Sequence, residues 1–155
     1  MFGDFTIEEG VNFTINGGQL RFCDGGRLIV KNGANFHLNS TLTSTGTYKW
    51  GGVELWNDLG SYIPGKAQFT SGSAGVIENA ETGIKTYGPT PAHAGGFVYA
   101  TDMEFRNCNK SIEVGKASYY TYTWVRNCVF NNFNNPEFES FIDFNQVLGL
   151  SLIHI

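Results

Sequence analysis

Charge is scarce in this chain and long apolar runs are missing. Only 15% of the 155 residues are Asp, Glu, Lys or Arg, and the net charge is −4. The basic face that a nucleic-acid partner demands is therefore lacking. No run of 18 apolar residues occurs, so no helix spans a membrane. Met1-Phe-Gly-Asp-Phe5 has neither a basic start nor a long apolar stretch, so it does not read as a signal peptide. Nowhere do apolar residues recur at i, i+3, i+4 and i+7 over three turns, which excludes long amphipathic helices. There are three cysteines, no Cys-x-x-Cys and no paired histidines, so neither a metal nor a cofactor is expected.

What the chain does have is glycine, asparagine, threonine, serine and aromatic rings. Twenty glycines and 15% aromatics, in a chain that is 41% hydrophobic, suit many turns joining short strands. One domain of all-β class is the expected outcome, incomplete over residues 1–149. The tail Leu150-Ser-Leu-Ile-His-Ile155 reads as a translated sequencing adapter, so residues 150–155 are set aside and His154 joins no site.

Repeats organise the remainder. Gly10-Val-Asn-Phe-Thr-Ile-Asn-Gly17 matches Gly33-Ala-Asn-Phe-His-Leu-Asn-Ser40, with the strand-like Gly26-Arg-Leu-Ile-Val-Lys-Asn-Gly33 between them. Ile77-Glu-Asn-Ala80, Phe105-Arg-Asn-Cys108 and Val125-Arg-Asn-Cys128 share the form apolar, charged, Asn, small. Self-similarity in short β-type pieces, roughly 20–30 residues apart, signals a solenoid. Each coil pairs its backbone with the next, about 4.8 Å away, so like residues come to lie over like residues. On that reading Asn79, Asn107 and Asn127 form an amide ladder, with Cys108 and Cys128 stacked beside it as buried thiols. The plainer reading makes each Asn a turn residue. A Cys108–Cys128 disulfide is the less favoured alternative, because stacked parallel strands give it awkward geometry.

Phe5-Thr-Ile-Glu-Glu-Gly-Val-Asn-Phe-Thr-Ile15, Gly26-Arg-Leu-Ile-Val30 and Trp50-Gly-Gly-Val-Glu-Leu55 resemble the right-handed parallel β-helix proteins of the pectate-lyase-like superfamily. The likeness runs over roughly residues 5–135 and is strongest to secreted surface proteins of Bacteroidetes-type bacteria. It implies a right-handed parallel β-helix and an extracellular or cell-surface location. The resemblance does not specify activity, because that fold carries lyases, hydrolases, adhesins and inert stalks.

The enzymes of that superfamily need clustered acids, whereas Asp4, Asp24, Asp58, Asp102 and Asp143 stand isolated here. The Asn-Thr-Asp and Gly-His-Gly pieces of the hydrolases and the Arg-x-Pro-x-x-Arg piece of the lyases are missing. Glu78, Arg106 and Arg126 align in the repeats and are read as an exposed charge ladder rather than a catalytic strip. The candidate ligand contacts are Trp56, Tyr62, Tyr87, Tyr119, Tyr120 and Tyr122, in or beside irregular segments where binding residues collect. Their flat faces suit stacking on sugar rings, and the competing reading is core filling. For Trp50 and Trp124, inside strand-like runs, core filling is preferred.

The function expected is a non-catalytic extracellular β-helix module that presents loops for surface adhesion or polysaccharide binding. Two alternatives stand beside it: a fragment of a polysaccharide lyase or glycoside hydrolase with its active site elsewhere, and an inert stalk. Expected partners are polysaccharide or a host or cell surface. An open last coil carrying Phe130, Phe133, Phe138, Phe141 and Phe144 is expected to make the fragment poorly soluble. Asn131 to Pro136 is expected to leave the stack, since proline cannot donate to a ladder.

Overall fold

The computed structural model describes residues 3–57, 65–90, 93, 95–115, 122–132, 137 and 139–144. All pairing among these residues is parallel, and the chain winds as a β-solenoid. The first face is a six-stranded sheet of β1 (Phe5–Ile7), β3 (Arg27–Val30), β5 (Gly52–Leu55), β8 (Thr82–Lys85), β11 (Lys110–Val114) and β14 (Ser140–Phe144). The other strands make two further faces that share their first members. β2 (Asn12–Phe22) pairs along β4 (Asn35–Ser44), and each of these long strands covers both faces. Beyond β4 the path forks. β6 (Gln68–Ser71), β9 (Phe97–Thr101) and β12 (Tyr122–Arg126) continue the second face. β7 (Val76–Glu78), β10 (Glu104–Arg106) and β13 (Val129–Asn131) continue the third.

Period-2 alternation explains which side chains go in. In Asn35-Phe-His-Leu-Asn39 the phenylalanine and leucine are fully buried, and the polar residues between them are only partly covered. Stacked over successive coils, the inward positions form three columns. Phe5, Leu28, Val53, Ile84, Ile112 and Ile142 run up the first face. Phe13, Phe36, Phe69, Val98 and Thr123 run up the second. Leu20, Leu42, Ile77, Phe105 and Phe130 run up the third, with Phe105 and Phe130 rings parallel at 5.3 Å. A single coil could not hide these residues, so the columns are what hold the solenoid together.

Left-handed residues mark the corners. Asp102 (φ 53) and Asn127 (φ 52) turn the chain from the second face to the third. Asn79 (φ 57) and Asn107 (φ 50) turn it from the third to the first. Asn and Asp tolerate this region better than other non-glycine residues, because their short side chains can bond locally.

The corner assignment corrects part of the expected ladder. Asn107 Nδ2 donates to Asn79 Oδ1 at 2.6 Å, and Asn79 Nδ2 donates to Thr43 Oγ1 at 3.1 Å. Asn127 belongs to the other corner and donates to Asp102 Oδ1 at 3.0 Å. Cys128 therefore does not stack on Cys108. Its Sγ lies 3.3 Å from Ala100 O, while Cys108 Sγ lies 3.6 Å from Ile77 O. All three cysteines are free. Arg126 likewise pairs with Thr101 rather than Arg106, whose coil neighbours are Glu78 and Asn131. The same four-residue form serves two corners, and alignment by sequence alone merged them.

The first coils leave room at one end. A cavity of about 350 Å³ is lined by Phe5, Phe13, Ile15, Leu20 and neighbouring polar residues of β2. β13 ends at Asn131 and Asn132 is buried. Residues 133–136 lie outside the described residues, as do Phe133 and Phe138.

Candidate ligand-binding faces

Two outward surfaces carry chemistry. On the first face, the outward column beside the aliphatic one reads Ile29, Glu54, Lys85, Glu113. Glu54 is only 5% exposed and Glu113 only 6%. Carboxylates this covered need partners to offset lost hydration. Glu54 has Arg27 at 3.4 Å, Lys85 at 3.4 Å and the Trp56 indole N–H at 2.8 Å. Glu113 accepts from the Tyr87 hydroxyl at 2.5 Å and the Thr82 hydroxyl at 3.4 Å, with Lys110 at 3.7 Å. Arg27 also grips Asp4 at 2.6 Å, and that guanidinium holds the Asp4 carboxyl below its ordinary range.

This network fixes the two aromatic residues at the end of the face. The guanidinium of Arg27 lies 6.0 Å from the Trp56 ring centroid and Lys85 Nζ lies 5.5 Å from that of Tyr87. His93 packs against Trp56 with ring centroids 5.4 Å apart. Glycines sit directly beneath both rings. A Cβ at Gly88 would meet Trp56 and His93 inside van der Waals contact, and one at Gly115 would meet Tyr87. Trp56 and Tyr87 are thus half-buried members of a polar lattice, and each spends its polar atom on a glutamate.

The second face is different in kind. On β9 and β12 the inward residues are Val98, Ala100, Thr123 and Val125, so alternation puts Tyr99, Tyr122 and Trp124, each half-buried, on the outer side, together with Phe97, which is covered to 5% exposure. Tyr122 pairs with Phe97 and Trp124 with Tyr99 across the strands. Tyr99 and Tyr122 have ring centroids 5.4 Å apart, and Phe97 lies edge-on to each at 6.5 and 6.3 Å. Burial and the neighbouring Tyr122 phenol push the Tyr99 hydroxyl up from its ordinary value. The aromatic group continues down the stack into polar residues: Tyr99 pairs with Thr70, and Thr70 with His37. His37 Nδ1 and Thr70 Oγ1 are 2.9 Å apart.

The six sequence candidates therefore divide. Trp56 and Tyr87 fall on the first face and Tyr122 on the second, while Tyr62, Tyr119 and Tyr120 lie outside the described residues. Trp50 is fully buried, as core filling requires. Trp124 corrects the reading that placed it in the interior, because its neighbours Thr123 and Val125 already occupy the inward positions. Tyr99 and Phe97 were missed. The signal was present in Phe97-Val-Tyr-Ala and Tyr122-Thr-Trp-Val, where large aromatics alternate with smaller residues that fit the interior. Glu54 and Glu113 were missed too, since their partners arrive from other coils.

Among the described residues no group of three or more His, Cys, Asp or Glu is placed to hold a metal ion. No helix among them is long and apolar enough to cross a membrane. No protein-family profile, curated protein or solved structure matches the chain.

Proposed function

We propose that this chain is a non-catalytic, extracellular β-helix module of the pectate-lyase-like kind that binds polysaccharide at a cell surface. The observation that carries the reading is the outward cluster of Tyr99, Tyr122 and Trp124 on adjacent strands of the second face. Rings held on a paired sheet lose little conformational freedom when a ligand arrives, and their faces stack on the C–H faces of sugars. Phenol and indole edges, with Thr70 nearby, supply donors and acceptors for hydroxyls. The acids of the first face suit a structural role instead. Glu54 and Glu113 are covered, and their oxygens are engaged by cations and by Trp56 and Tyr87.

Affinity electrophoresis through gels containing a panel of polysaccharides tests this reading. The parent protein is retarded by at least one polymer, and Tyr122→Ala or Trp124→Ala weakens retention about tenfold, equivalent to roughly 1.4 kcal/mol. Mobility unchanged in every polymer removes the reading.

A further inference from the structure

The charge of the second face narrows the ligand, on the footing that the face binds polysaccharide at all. Its outward positions run from Asn12 and Thr14 through Asn35, His37, Gln68 and Thr70 to the aromatic group. No outward position along these strand pairings is a carboxylate, although the chain carries a net charge of −4. Asp4, Glu54 and Glu113 gather on the first face, around Arg27, Lys85 and Lys110. Glu78 and Glu104 lie on the third, and Asp102 sits at the corner after β9, where it accepts from Asn127. The one guanidinium of the second face, Arg126, is exposed at the far end of β12. A regularly acidic polymer would need a cation at each repeat to offset desolvation, and this face does not repeat one. Amides and hydroxyls do repeat, coil after coil, in register.

We infer that the second face is an extended site for an uncharged polysaccharide lying along the solenoid axis, its rings on Tyr99, Tyr122 and Trp124 and its hydroxyls on Thr70, Gln68 and His37. The direction follows from the pairing. The Tyr99 column descends through Thr70 to His37, one strand per step, so the aromatic end and the polar end lie along the axis rather than along a strand. From β12 to β4 there are three steps, or about 14 Å at ~4.8 Å per strand. A chain running along the strands of β9 and β12 would meet the rings alone.

Isothermal titration with a length series of neutral β-linked gluco- and manno-oligosaccharides, beside a uronate polymer, tests the inference. Affinity for one neutral series rises with chain length until the ligand covers the three steps, then levels off. Trp124→Ala lowers affinity at every length by about tenfold. Thr70→Val lowers it several-fold for long chains and leaves the shortest ligands unchanged. Tyr48→Ala, at a position 71% exposed and off the second face, leaves affinity unchanged at every length and serves as the control, with the circular dichroism spectrum and thermal midpoint checked for all variants. Affinity independent of length, or equal effects of Thr70→Val on short and long ligands, overturns the axial arrangement. Preference for the uronate polymer overturns the uncharged class while leaving polysaccharide binding in place. Retention by no polysaccharide, neutral or acidic, overturns both this inference and the reading beneath it.

Discussion

The indole of Trp50 lies flat on the ring of Phe22, with centroids 4.5 Å apart and planes 9° from parallel. Both residues are fully buried, and they lie in successive coils. Trp50 also donates its Nε1–H to Glu78 O at 2.9 Å, one coil further on. A single side chain thus joins three coils. Trp50→Ala should cost about 3–5 kcal/mol, as large core truncations do. Trp50→Phe keeps the stack but strands the Glu78 carbonyl, at a cost of about 1–3 kcal/mol. Urea unfolding monitored by circular dichroism measures both, and equal stability of the three proteins would refute the bridging role.

Asn107 does two jobs that substitution can separate. Its φ of 50° favours residues that tolerate the left-handed region, and its side chain donates to Asn79. Asn107→Ala loses both contributions, about 1–2 kcal/mol for the backbone and about 1 kcal/mol for the hydrogen bond. Asn107→Gly relieves the backbone and loses only the side-chain bonds, the one to Asn79 and the one accepted from Lys49 Nζ at 3.3 Å, which the alanine variant loses as well. The glycine variant should therefore be the more stable of the two in thermal melts. The opposite order would mean that the left-handed corner is not set by residue 107.

Thr123 ends the column Phe13, Phe36, Phe69, Val98 on the second face. It is fully buried, and its hydroxyl has no hydrogen-bond partner among the described residues. Thr123→Val replaces that hydroxyl with a methyl of similar size beside Val98. Removing an unsatisfied buried polar group should raise stability by about 1 kcal/mol. A loss of stability on the same melt would show that the hydroxyl is satisfied.

The three thiols should differ in reactivity. Cys108 is wholly buried, and desolvation pushes its thiol up to about 11. Burial also raises Cys128, while Cys23 is only half-buried. Since the thiolate is the reactive form, a disulfide reagent at pH 8 should label Cys23 first and reach Cys108 only on unfolding. Mass spectrometry of timed samples reads the order. Equal labelling of Cys23 and Cys108 in the folded protein would contradict the interior placement.

Acid should loosen the molecule in a narrow range. The Arg27 hydrogen bond lowers Asp4 from its ordinary 3.8, and Arg106 does the same to Glu104 from 4.5. A carboxyl with a folded pKa below its unfolded one stabilises the fold above the unfolded value, and that stabilisation disappears as pH falls through the folded value. The thermal midpoint should be flat with respect to these two groups above about pH 5 and fall below about pH 4. Both pairs are partly exposed, so added salt should flatten the fall. A midpoint that rises on acidification through this range would invert the assigned sign.

Periodicity alone was enough to read this chain as all-β and coiled, because inward Phe36, Leu38, Ile77 and Phe105 alternate with polar residues and recur at coil spacing. Register was not readable in that way. Ile77-Glu-Asn-Ala80, Phe105-Arg-Asn-Cys108 and Val125-Arg-Asn-Cys128 look equivalent, yet the last turns a different corner. Any left-handed bend after a short strand rewards the same residues, so local sequence is degenerate between corners. Which side Trp124 faces, and that Glu54 meets Arg27 and Lys85, depend on which coil lies next to which. Composition and alternation determined the architecture through backbone pairing and apolar burial, which are local in sequence or repeat along it. Tertiary structure alone decided the surfaces, because an outward face is assembled from residues about 23–33 positions apart, and the loop lengths that bring them into register carry no pattern of their own.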